Sequence, residues 1–322
     1  MANANPTRLG QANGAGSVDA LFRDIYTGEV LTAFNAKNVT MDKHSVRNIT
    51  NGNAATFYAT GTVSGGYHEV GQEVLGGPTN QNKLTIFTDD TLYTSAFVAD
   101  IDELKNSYEV RSEITKQQGE FLANTFDKNV LRTGVLAARS PAIVTGQPSG
   151  AAITAADIDT DASKLVAAVF AARTSMEERF IDWRSDTYLY IRPAVYSLLA
   201  QHKDLLNKDW GGEGSYAQGS FQMVAGIPIV STTNLPSANL SNDAAITAAG
   251  EVPSLILSKY RGNYSKTVGL IMNKEAVATV KLRDLLVESN YDPRRFGTLM
   301  TSRFILGHGV RRSAGAVELA KP

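Results

Sequence analysis

Charged and large apolar side chains recur at helical spacing from Asp100 to Arg139, a stretch without proline. At about 100° per residue, the two kinds of side chain fall on opposite sides of a helix. The charged side consists of Asp102, Lys105, Glu109, Glu113, Lys116, Glu120 and Asp127. The apolar side consists of Ile101, Leu104, Tyr108, Ile114, Phe121, Leu122, Phe126, Val135 and Leu136. The pattern predicts one amphipathic helix, about 55–60 Å long at about 1.5 Å per residue, whose apolar side packs on another element.

Two glycines and a change of phase weaken the end of this helix. Gly119 and Gly134 each cost about 1 kcal/mol relative to alanine inside a helix. The apolar stripe also loses its phase at Val130 and Leu131. We therefore expect the last turns to bend or to form a second short helix.

The residues before the helix change from helical to strand-like patterns. Residues 1–16, rich in Asn, Gly and Ala, predict a mobile tail. Helical spacing begins at Ser17, and a second short helix is expected through Val30 and Phe34. Strand-like runs then flank Asn51-Gly52, a dipeptide that predicts a β-hairpin.

Residues 61–90 contain little that could form a core. They hold two Gly-Gly pairs and one proline, with strand-like runs only at their ends. We interpret them as a long two-stranded excursion that returns through Lys83–Phe87. An isolated two-stranded ribbon is only marginally stable in water, so we expect another surface, most simply another copy of the chain, to hold it.

Helices and strands alternate after a linker-like break at residues 140–160. Asp161 is expected to cap a helix, and residues 187–191 form a buried strand candidate. A helix is expected to begin at Pro193, and a turn at Gly226 separates two short strands. One face of the capped helix would carry Leu165, Val169, Ala172, Met176 and Phe180. This order predicts an α/β or α+β domain over residues 150–280.

The remainder of the chain is dominated by strand-like runs. They are Gly269–Met272, Val277–Val287, Leu299–Leu306 and Ala316–Leu319. Asp292-Pro293 predicts the turn between the two long runs. We expect these strands to form one antiparallel sheet that receives the apolar side of the long helix.

Composition excludes several classes of protein. The 322 residues are 43% hydrophobic, enough for a large core. A net charge of −1 argues against nucleic-acid binding as the main function of the fold. Because the chain has no cysteine, disulfides and thiolate chemistry are excluded. No apolar run reaches 18 residues and the first residues lack a signal pattern, so we expect neither a membrane span nor export.

Residues with catalytic potential do not converge on a motif. The four histidines (His44, His68, His202 and His308) lie far apart, and structural positions are expected for them. The Gly-His-Gly sequence at 307–309 is interpreted as a strand end where glycine lets the backbone bend. The acidic pairs Asp89-Asp90 and Glu177-Glu178 are interpreted as solvated surface. We therefore predict no catalytic residue, no metal and no cofactor, and, since the residues give no positive evidence for an enzyme, we expect that the chain is not one.

Three aspartates imitate the start of a calcium loop. Asp157, Asp159 and Asp161 have the required spacing, but Ala162 and Ala168 stand where such a loop needs glycine and glutamate. Helix capping is the better account.

Two arginine pairs are candidates for contacts between subunits. Arg294-Arg295 and Arg311-Arg312 could meet phosphate or a neighbouring subunit's carboxylates, although salt bridges within the chain are the default for such short clusters.

Four segments in order resemble the major capsid protein of tailed double-stranded DNA bacteriophages of the short-tailed podovirus type. The segments are LFRDIYTGEVLTAF, YEVRSEITKQQGE, AGIPIVSTTNLP, and NKEAVATVKLRDLLVE running on to SRFILGHGVRRSAGAV. The resemblance covers residues 17–320, with the segments in the same order. The resemblance implies an α+β chain with the Johnson-type capsid fold.

The resemblance also implies a division of the chain. Residues 1–59 would be an N-terminal arm, 60–88 an extended β-hairpin loop, 89–149 and 281–322 a peripheral domain with a spine helix and antiparallel sheet, and 150–280 an axial domain. The inter-subunit contact candidates are Tyr67, Glu69, Glu73, Lys83, Arg294, Arg295, Arg311 and Arg312. Some family members crosslink a loop lysine to an asparagine; Lys83 lies on the expected loop, but the sequence assigns it no partner.

The implied function is structural. Such subunits assemble in the host cytoplasm into pentamers and hexamers of an icosahedral virion shell around double-stranded DNA. The implied partners are other copies of the chain, a scaffolding protein, a portal protein at one vertex and, in some cases, a cement or decoration protein, with no membrane. Two alternatives stay open at this point: the shell of a cellular nanocompartment with the same fold, and a soluble α/β enzyme with its site in residues 150–280.

Overall fold

The computed structural model describes residues 30, 32–34, 37–101, 110–201 and 223–322, which form a mixed α+β protein as predicted. The predicted tail, the helix from Ser17, the first turns of the long helix at 102–109, His202 and the glycine-rich connection at 208–220 lie outside these residues. Residues 30, 32–34 and 37 are helical, in agreement with the second short helix expected there.

Besides short helical segments such as residues 32–34, twelve strands and four α-helices are delimited in the described part of the chain. In order they are β1 (Ser45–Asn48), β2 (Ala54–Thr60), β3 (Gln81–Phe87), β4 (Leu92–Ala99), α1 (Val110–Arg139), β5 (Ala151–Thr154), α2 (Ala162–Glu178), β6 (Thr187–Ile191), α3 (Pro193–Ala200), β7 (Met223–Val224), β8 (Ile227–Ser231), α4 (Asp243–Ala248), β9 (Thr267–Asn273), β10 (Val277–Asp292), β11 (Gly297–Val310) and β12 (Ala316–Ala320). They belong to two compact units: residues up to 38 with 89–126 and 281–306, and residues 39–88 with 127–280 and 307–322.

The first unit is built on the paired β10 and β11, with β4 beside β11. β4 and β11 are antiparallel, from Leu92 opposite Phe304 to Ala99 opposite Gly297. Ile114 of α1 packs with Val287 and Met300 of the two long strands. The prediction that the helix lays its apolar side on the strands after Val280 is therefore confirmed for this half of α1.

Gly119 lets the helical residues 30–34 approach α1 closely. A Cβ at Gly119 would lie 2.7 Å from Ala33 Cβ and 2.8 Å from Val30 O. The Phe34 ring meets Phe126 edge-on, with 6.3 Å between the ring centroids. The glycine that costs helix propensity is thus required by packing.

The second unit contains a six-stranded sheet in the order β5-β12-β9-β6-β8-β7. β12 runs parallel to β5 and antiparallel to β9, and β6 runs antiparallel to β9 and parallel to β8. α2 packs on this sheet through Leu165, Val169, Ala172 and Met176, as predicted. Asp161 caps α2 by accepting a hydrogen bond from Ser163 N at 2.9 Å, and α3 begins at Pro193, also as predicted.

The second half of α1 is buried on more than one side. Val130 and Leu131 are fully buried, and a Cβ at Gly134 would lie 2.7 Å from Leu270 Cδ2 of β9. The stripe loses its phase because both faces of these turns meet protein. The second short helix that we considered is therefore wrong, because α1 continues as one helix to Arg139.

An ion pair between a partly exposed arginine and a buried glutamate fixes the end of α1. Arg139 Nε and Nη2 each donate to the Glu318 carboxylate of β12 at 2.6 Å, and Glu318 is 1% exposed. Thr267 Oγ1 donates to the same carboxylate at 2.5 Å. Hydrogen bonding to Glu318 raises the pKa of Arg139, so the guanidinium stays charged.

Three expectations about strands and faces are wrong. The strands on either side of Asn51-Gly52 do not form a hairpin: Gly52 makes the turn with φ +97°, but β1 joins β10, and β2 pairs with β3. The runs after Gly269 do not share one sheet, because β9 and β12 belong to the six-stranded sheet. Phe180 is 92% exposed, since α2 ends before it.

Candidate functional site

The most unusual surface of the chain is the loop between β2 and β3. Residues 62–80 are all exposed, and five large apolar side chains among them are 77–106% exposed: Val63, Tyr67, Val70, Val74 and Leu75. Single exposed apolar residues are ordinary, whereas a run of this kind marks an interaction surface. We call residues 61–80 the ribbon.

The ribbon is paired only at its base. β2 and β3 are antiparallel from Ala54 opposite Phe87 to Thr60 opposite Gln81, and Gly61 N donates to Asn80 O at 2.7 Å. Between Thr60 and Gln81 the ribbon itself forms no strand, so the two-stranded excursion is shorter than predicted.

Residues 143–147 hold the base of the ribbon from one side. Asn82 Nδ2 donates to Ile143 O at 2.7 Å, and Gln147 Nε2 donates to Thr60 O at 2.6 Å. Thr62 Oγ1 donates to Gly146 O at 3.3 Å. These bonds satisfy backbone carbonyls on both segments, so the direction in which the ribbon leaves is fixed.

The end of β11 holds the base from another side. A Cβ at Gly307 would lie 2.1 Å from Phe87 O, and one at Gly309 would lie 2.8 Å from Ile86 Cγ1. Ala55 and Ile86 form a small core with Ala278 and Val280 of β10. The glycines of the Gly-His-Gly sequence lie in the last four residues of β11, near the expected strand end, and their missing side chains permit close approach of β3.

Two buried histidines share one threonine next to this core. His44 Nδ1 lies 2.6 Å from Thr40 O, so it carries the hydrogen and Nε2 accepts. Thr279 Oγ1 lies 2.7 Å from that Nε2 and 2.8 Å from His308 Nδ1, so the hydroxyl donates to His44 and accepts from His308. Burial lowers the pKa of His44 to about 4 and lowers the pKa of His308 well below its usual value. Both rings are neutral structural groups at pH 7, as the sequence predicted.

Asp127 is a functional anchor that the sequence did not identify. The helical phase put it on the exposed charged side of α1, but it is fully buried in the structure. Its carboxylate accepts hydrogen bonds from Val39 N at 2.9 Å, Thr40 N at 3.2 Å and Thr40 Oγ1 at 2.6 Å. Burial raises its pKa, and these hydrogen bonds oppose the shift. The contact fixes residues 39–40 on α1, and no local sequence signal distinguishes Asp127 from a surface acid.

The predicted contact residues fall into three groups. Tyr67, Glu69 and Glu73 are exposed on the ribbon, and Lys83 is exposed at its base, opposite Tyr58. Arg294 and Arg295 lie in the turn between β10 and β11, where Arg295 Nε is 3.7 Å from Asp292 Oδ2. The third group is Arg311-Arg312, just after β11.

Arg311 and Arg312 line a groove of about 610 Å³ beside the ribbon base. Arg47 and Phe57, which the sequence did not single out, lie in the same groove. Arg312 Nη1 donates to Glu275 Oε2 at 3.0 Å, so the structural salt bridge expected for this pair is present at one of its two residues.

The remaining candidates have ordinary structural roles. Asp157 pairs with Lys164 at 2.8 Å and Asp159 with Lys321 at 3.2 Å, so the three aspartates face different partners. Within the described ranges, no group of three or more metal-ligating side chains is found. Over the same ranges, no helix combines the length and apolar character that crossing a membrane requires.

Comparison with known proteins assigns the chain to a family. A family model described as Gp10A-like major capsid protein matches residues 57–320. The major capsid protein of Escherichia phage T7 is 28% identical over 324 residues, covering 94% of this chain and 93% of that protein. The corresponding protein of Enterobacteria phage T3 is 26% identical and covers 98% of this chain.

Solved capsids have the same fold. The capsid structure of cyanophage P-SCSP1u matches with a TM-score of 0.79 and 34% identity, covering 100% of this chain and 99% of that chain. The mature capsid of bacteriophage PhiM1 matches with a TM-score of 0.72 at 22% identity, covering 88% of this chain and 87% of that chain. The Johnson-type fold inferred from the sequence is confirmed.

These findings decide between the functional alternatives. The family is structural, which excludes the enzyme hypothesis, and the nanocompartment hypothesis is no better supported. The podovirus resemblance is confirmed by the T7 and T3 proteins. Since the family model spans most of the chain and these relatives align along nearly its whole length, the chain belongs to the Gp10A-like major capsid proteins, which form the shell of the tailed-phage virion.

Proposed function

We propose that the loop of residues 60–88 is the segment by which one subunit of the shell holds the next. The observation that carries the proposal is the contrast between a fixed base and an unpartnered ribbon. Residues 143–147 and the end of β11 fix the base, while Tyr67 and Val70 are fully exposed. Burying a fully exposed tyrosine or valine side chain contributes about 1.5–3 kcal/mol, and a neighbouring subunit supplies the surface for it.

The proposal extends to the division of the chain inferred from the family. Residues 1–59 act as an arm, 89–149 and 281–322 as the peripheral domain, and 150–280 as the axial domain. The separate core of Val287 and Met300 under Ile114, and the six-stranded sheet built largely from residues 151–273, support this division. β12 pairs with β5 and β9, so the last strand assigned to the peripheral domain is hydrogen-bonded to strands of the axial domain.

The exposed predicted residues are proposed as contacts between subunits. Tyr67, Glu69, Glu73 and Lys83 serve through the loop, and Arg294 and Arg295 through the β10–β11 turn, where Arg295 is 77% exposed. Arg311 and Arg312 serve through the groove. Copies of the chain arranged in pentamers and hexamers would then enclose double-stranded DNA, with a scaffolding protein during assembly, a portal protein at one vertex and a decoration protein where one is present.

The test is to shorten the ribbon without disturbing its base. Replacing Val63–Pro78 by Asn-Gly leaves Thr62 and Thr79 joined by a turn suited to a hairpin and keeps every hydrogen bond to residues 143–147. The expected result is a folded subunit with the melting temperature of the unassembled wild type that forms no shells by sedimentation and electron microscopy. Shells formed by this variant at wild-type yield would overturn the proposal.

A milder pair of variants separates apolar contacts from loop length. Tyr67→Ser with Val70→Ser keeps the ribbon intact and removes two exposed apolar side chains, so we expect a reduced yield of shells. The control is Gly65→Ala, which adds a Cβ where no atom lies within 4 Å.

A further inference from the structure

Two guanidinium groups share one aromatic ring in the groove beside the ribbon base. The Arg47 guanidinium carbon lies 5.4 Å from the Phe57 ring centroid, and that of Arg311 lies 6.0 Å from it. Arg47 belongs to β1, Phe57 to β2, and Arg311 follows β11, so three separate segments bring these groups together. The ring attracts both cations, but it does not neutralise them.

Neither arginine has a carboxylate partner among the described residues. Arg47 Nη1 donates to Thr56 O at 2.7 Å, and Arg311 Nη1 donates to Ser45 Oγ at 2.7 Å, both neutral acceptors. The one acid that lines the groove, Glu275, pairs with Arg312. Three cations and one anion leave the groove with two unbalanced positive charges, and their mutual repulsion favours binding of an anion there.

The groove also has an apolar wall. Phe57, Tyr58, Ala59 and Leu84 line it, and Tyr58 is 83% exposed. A free inorganic anion would use only the guanidinium groups. The groove as a whole fits a polypeptide segment in which carboxylates lie next to apolar side chains.

The ribbon has this combination. Residues 61–80 contain two acids, Glu69 and Glu73, and no lysine or arginine. A tight turn separates the acids: Gln72 N donates to Glu69 O at 3.1 Å, His68 Nε2 lies 2.8 Å from Gln72 O, and Gly71 has φ +94°. Such a turn brings its first and last Cα atoms within about 7 Å, so both acids lie at the same end of the ribbon.

We propose that the Glu69–Glu73 turn of one subunit docks in the Arg47–Phe57–Arg311 groove of a second copy of the chain. The inference rests on the proposed role of the ribbon and adds the receiving site. Two carboxylates meet the two unpaired guanidinium groups, and Val70, at the turn itself, meets the apolar wall. Arginine suits this contact because its planar group can stack on Phe57 and bind a carboxylate at its edge.

The experiment is a charge exchange in the full-length chain. One variant carries Arg47→Glu and Arg311→Glu, a second carries Glu69→Arg and Glu73→Arg, and a third carries all four changes. Each of the first two is expected to raise the protein concentration needed for half-maximal assembly at least about tenfold, and the third to restore it to within about threefold of wild type, since close charge pairs couple strongly. Shell yield is measured by sedimentation and electron microscopy.

Matched controls separate docking from folding and from general charge effects. Arg184→Glu reverses another arginine that stacks on an aromatic ring, 4.7 Å from the Trp183 centroid and outside the groove, and is expected to assemble normally. Gln72→Arg with Glu69 and Glu73 intact adds a cation to the turn and is expected to weaken assembly only partly. Melting of each unassembled subunit shows whether it folds. If a double reversal fails to fold, Arg47→Gln with Glu69→Gln replaces it, and coupling between these two changes is measured in a double-mutant cycle.

The outcomes distinguish this inference from the proposed function. If both double variants fail to assemble and the fourfold variant does not recover, the charge pairing is overturned. The role of the ribbon still stands in that case, provided that the shortened ribbon abolishes shells. Normal assembly of the groove variant with reduced DNA content in its particles would show that the groove binds phosphate, and would also overturn the inference. Normal assembly with the shortened ribbon overturns the proposed function itself.

Discussion

Lowering the pH from 7 to 5 is predicted to destabilise the unassembled subunit through the linked pair His44 and His308. Both imidazoles are buried, and Thr279 bridges them with its single hydroxyl hydrogen. A proton added to His44 would turn Nε2 from an acceptor into a donor facing the hydroxyl that now donates to it. Protonating His44 in the folded state would therefore break its hydrogen bond with Thr279 and place a charged imidazolium where water cannot solvate it.

The sign and size follow from linkage. The pKa of His44 is about 4 in the folded chain, against an ordinary value of 6.5. Between these values the unfolded chain binds more protons, so the contribution to stability is fully present above about pH 6.5 and is lost as the pH falls towards 4. His44 alone therefore removes about 2 kcal/mol between pH 7 and 5. His308 acts in the same direction, because burial, His44 and Lys259 all lower its pKa.

Neighbouring charges modify this figure without reversing it. Asp42 raises the pKa of His44 and Lys274 lowers it, both less than burial does. Asp127 acts with the opposite sign, since its raised pKa makes the folded state bind a proton more readily than the unfolded state. Its hydrogen bonds to residues 39–40 limit that shift.

Urea unfolding followed by circular dichroism at pH 7, 6 and 5 measures the effect. His68→Gln is the matched control, because it removes a histidine that is exposed on the ribbon and lies outside the buried pair. His44→Gln should flatten the curve. A wild-type subunit that is equally or more stable at pH 5 would refute the reasoning, and that comparison stands even if the His44 variant does not fold.

Two further predictions concern packing. Phe126→Asp buries a carboxylate at a side chain that is 1% exposed and should lower the free energy of unfolding by several kcal/mol. The control Phe180→Asp, at a site 92% exposed, should change the melting temperature little. Similar melting of the two variants would contradict the assigned core. Gly307→Ala places a Cβ 2.1 Å from Phe87 O and should lower the free energy of unfolding, measured in urea, by about 1–3 kcal/mol. The control Gly65→Ala should be neutral or slightly stabilising. An unchanged stability of the Gly307 variant would show that β3 can move away.

Periodic burial explains which parts of the fold could be predicted from sequence. The stripe on α1, the face of α2 and the starts of α2 and α3 depend on local spacing and capping, so residues such as Ile114, Leu165 and Asp161 were assigned correctly. Strand partners depend on residues far apart in the chain. Asn51-Gly52 does turn the chain, but β2 pairs with β3 over seven residue pairs, so it does not form a hairpin with β1.

The candidate site was predictable only in part. Glycine content and the lack of core residues predicted the exposed loop. The Arg311-Arg312 pair in the sequence marked Arg311 as a candidate for contacts between subunits. Arg47 and Phe57 come from strand stretches with no distinctive pattern, and only the fold brings them together. Asp127 was misplaced because helical phase tells which side a residue occupies and not whether a distant segment covers that side.

The exposed ribbon has a consequence for the accuracy of shell assembly. Its described hydrogen bonds between Val63 and Pro78 join only its own residues, so no described hydrogen bond fixes this segment on the rest of the subunit. Fixing the backbone of one residue costs about 1–2 kcal/mol. If the ribbon docks on a neighbour as proposed, the contacts must offset an ordering cost on the order of 20 kcal/mol before any net attraction remains. The gain on adding a single subunit is then a small difference between large terms, and a subunit in a wrong position can leave again. Under the same proposal, a subunit in a closed shell could leave only by breaking several such contacts together, so errors would be corrected during growth and the finished shell would persist.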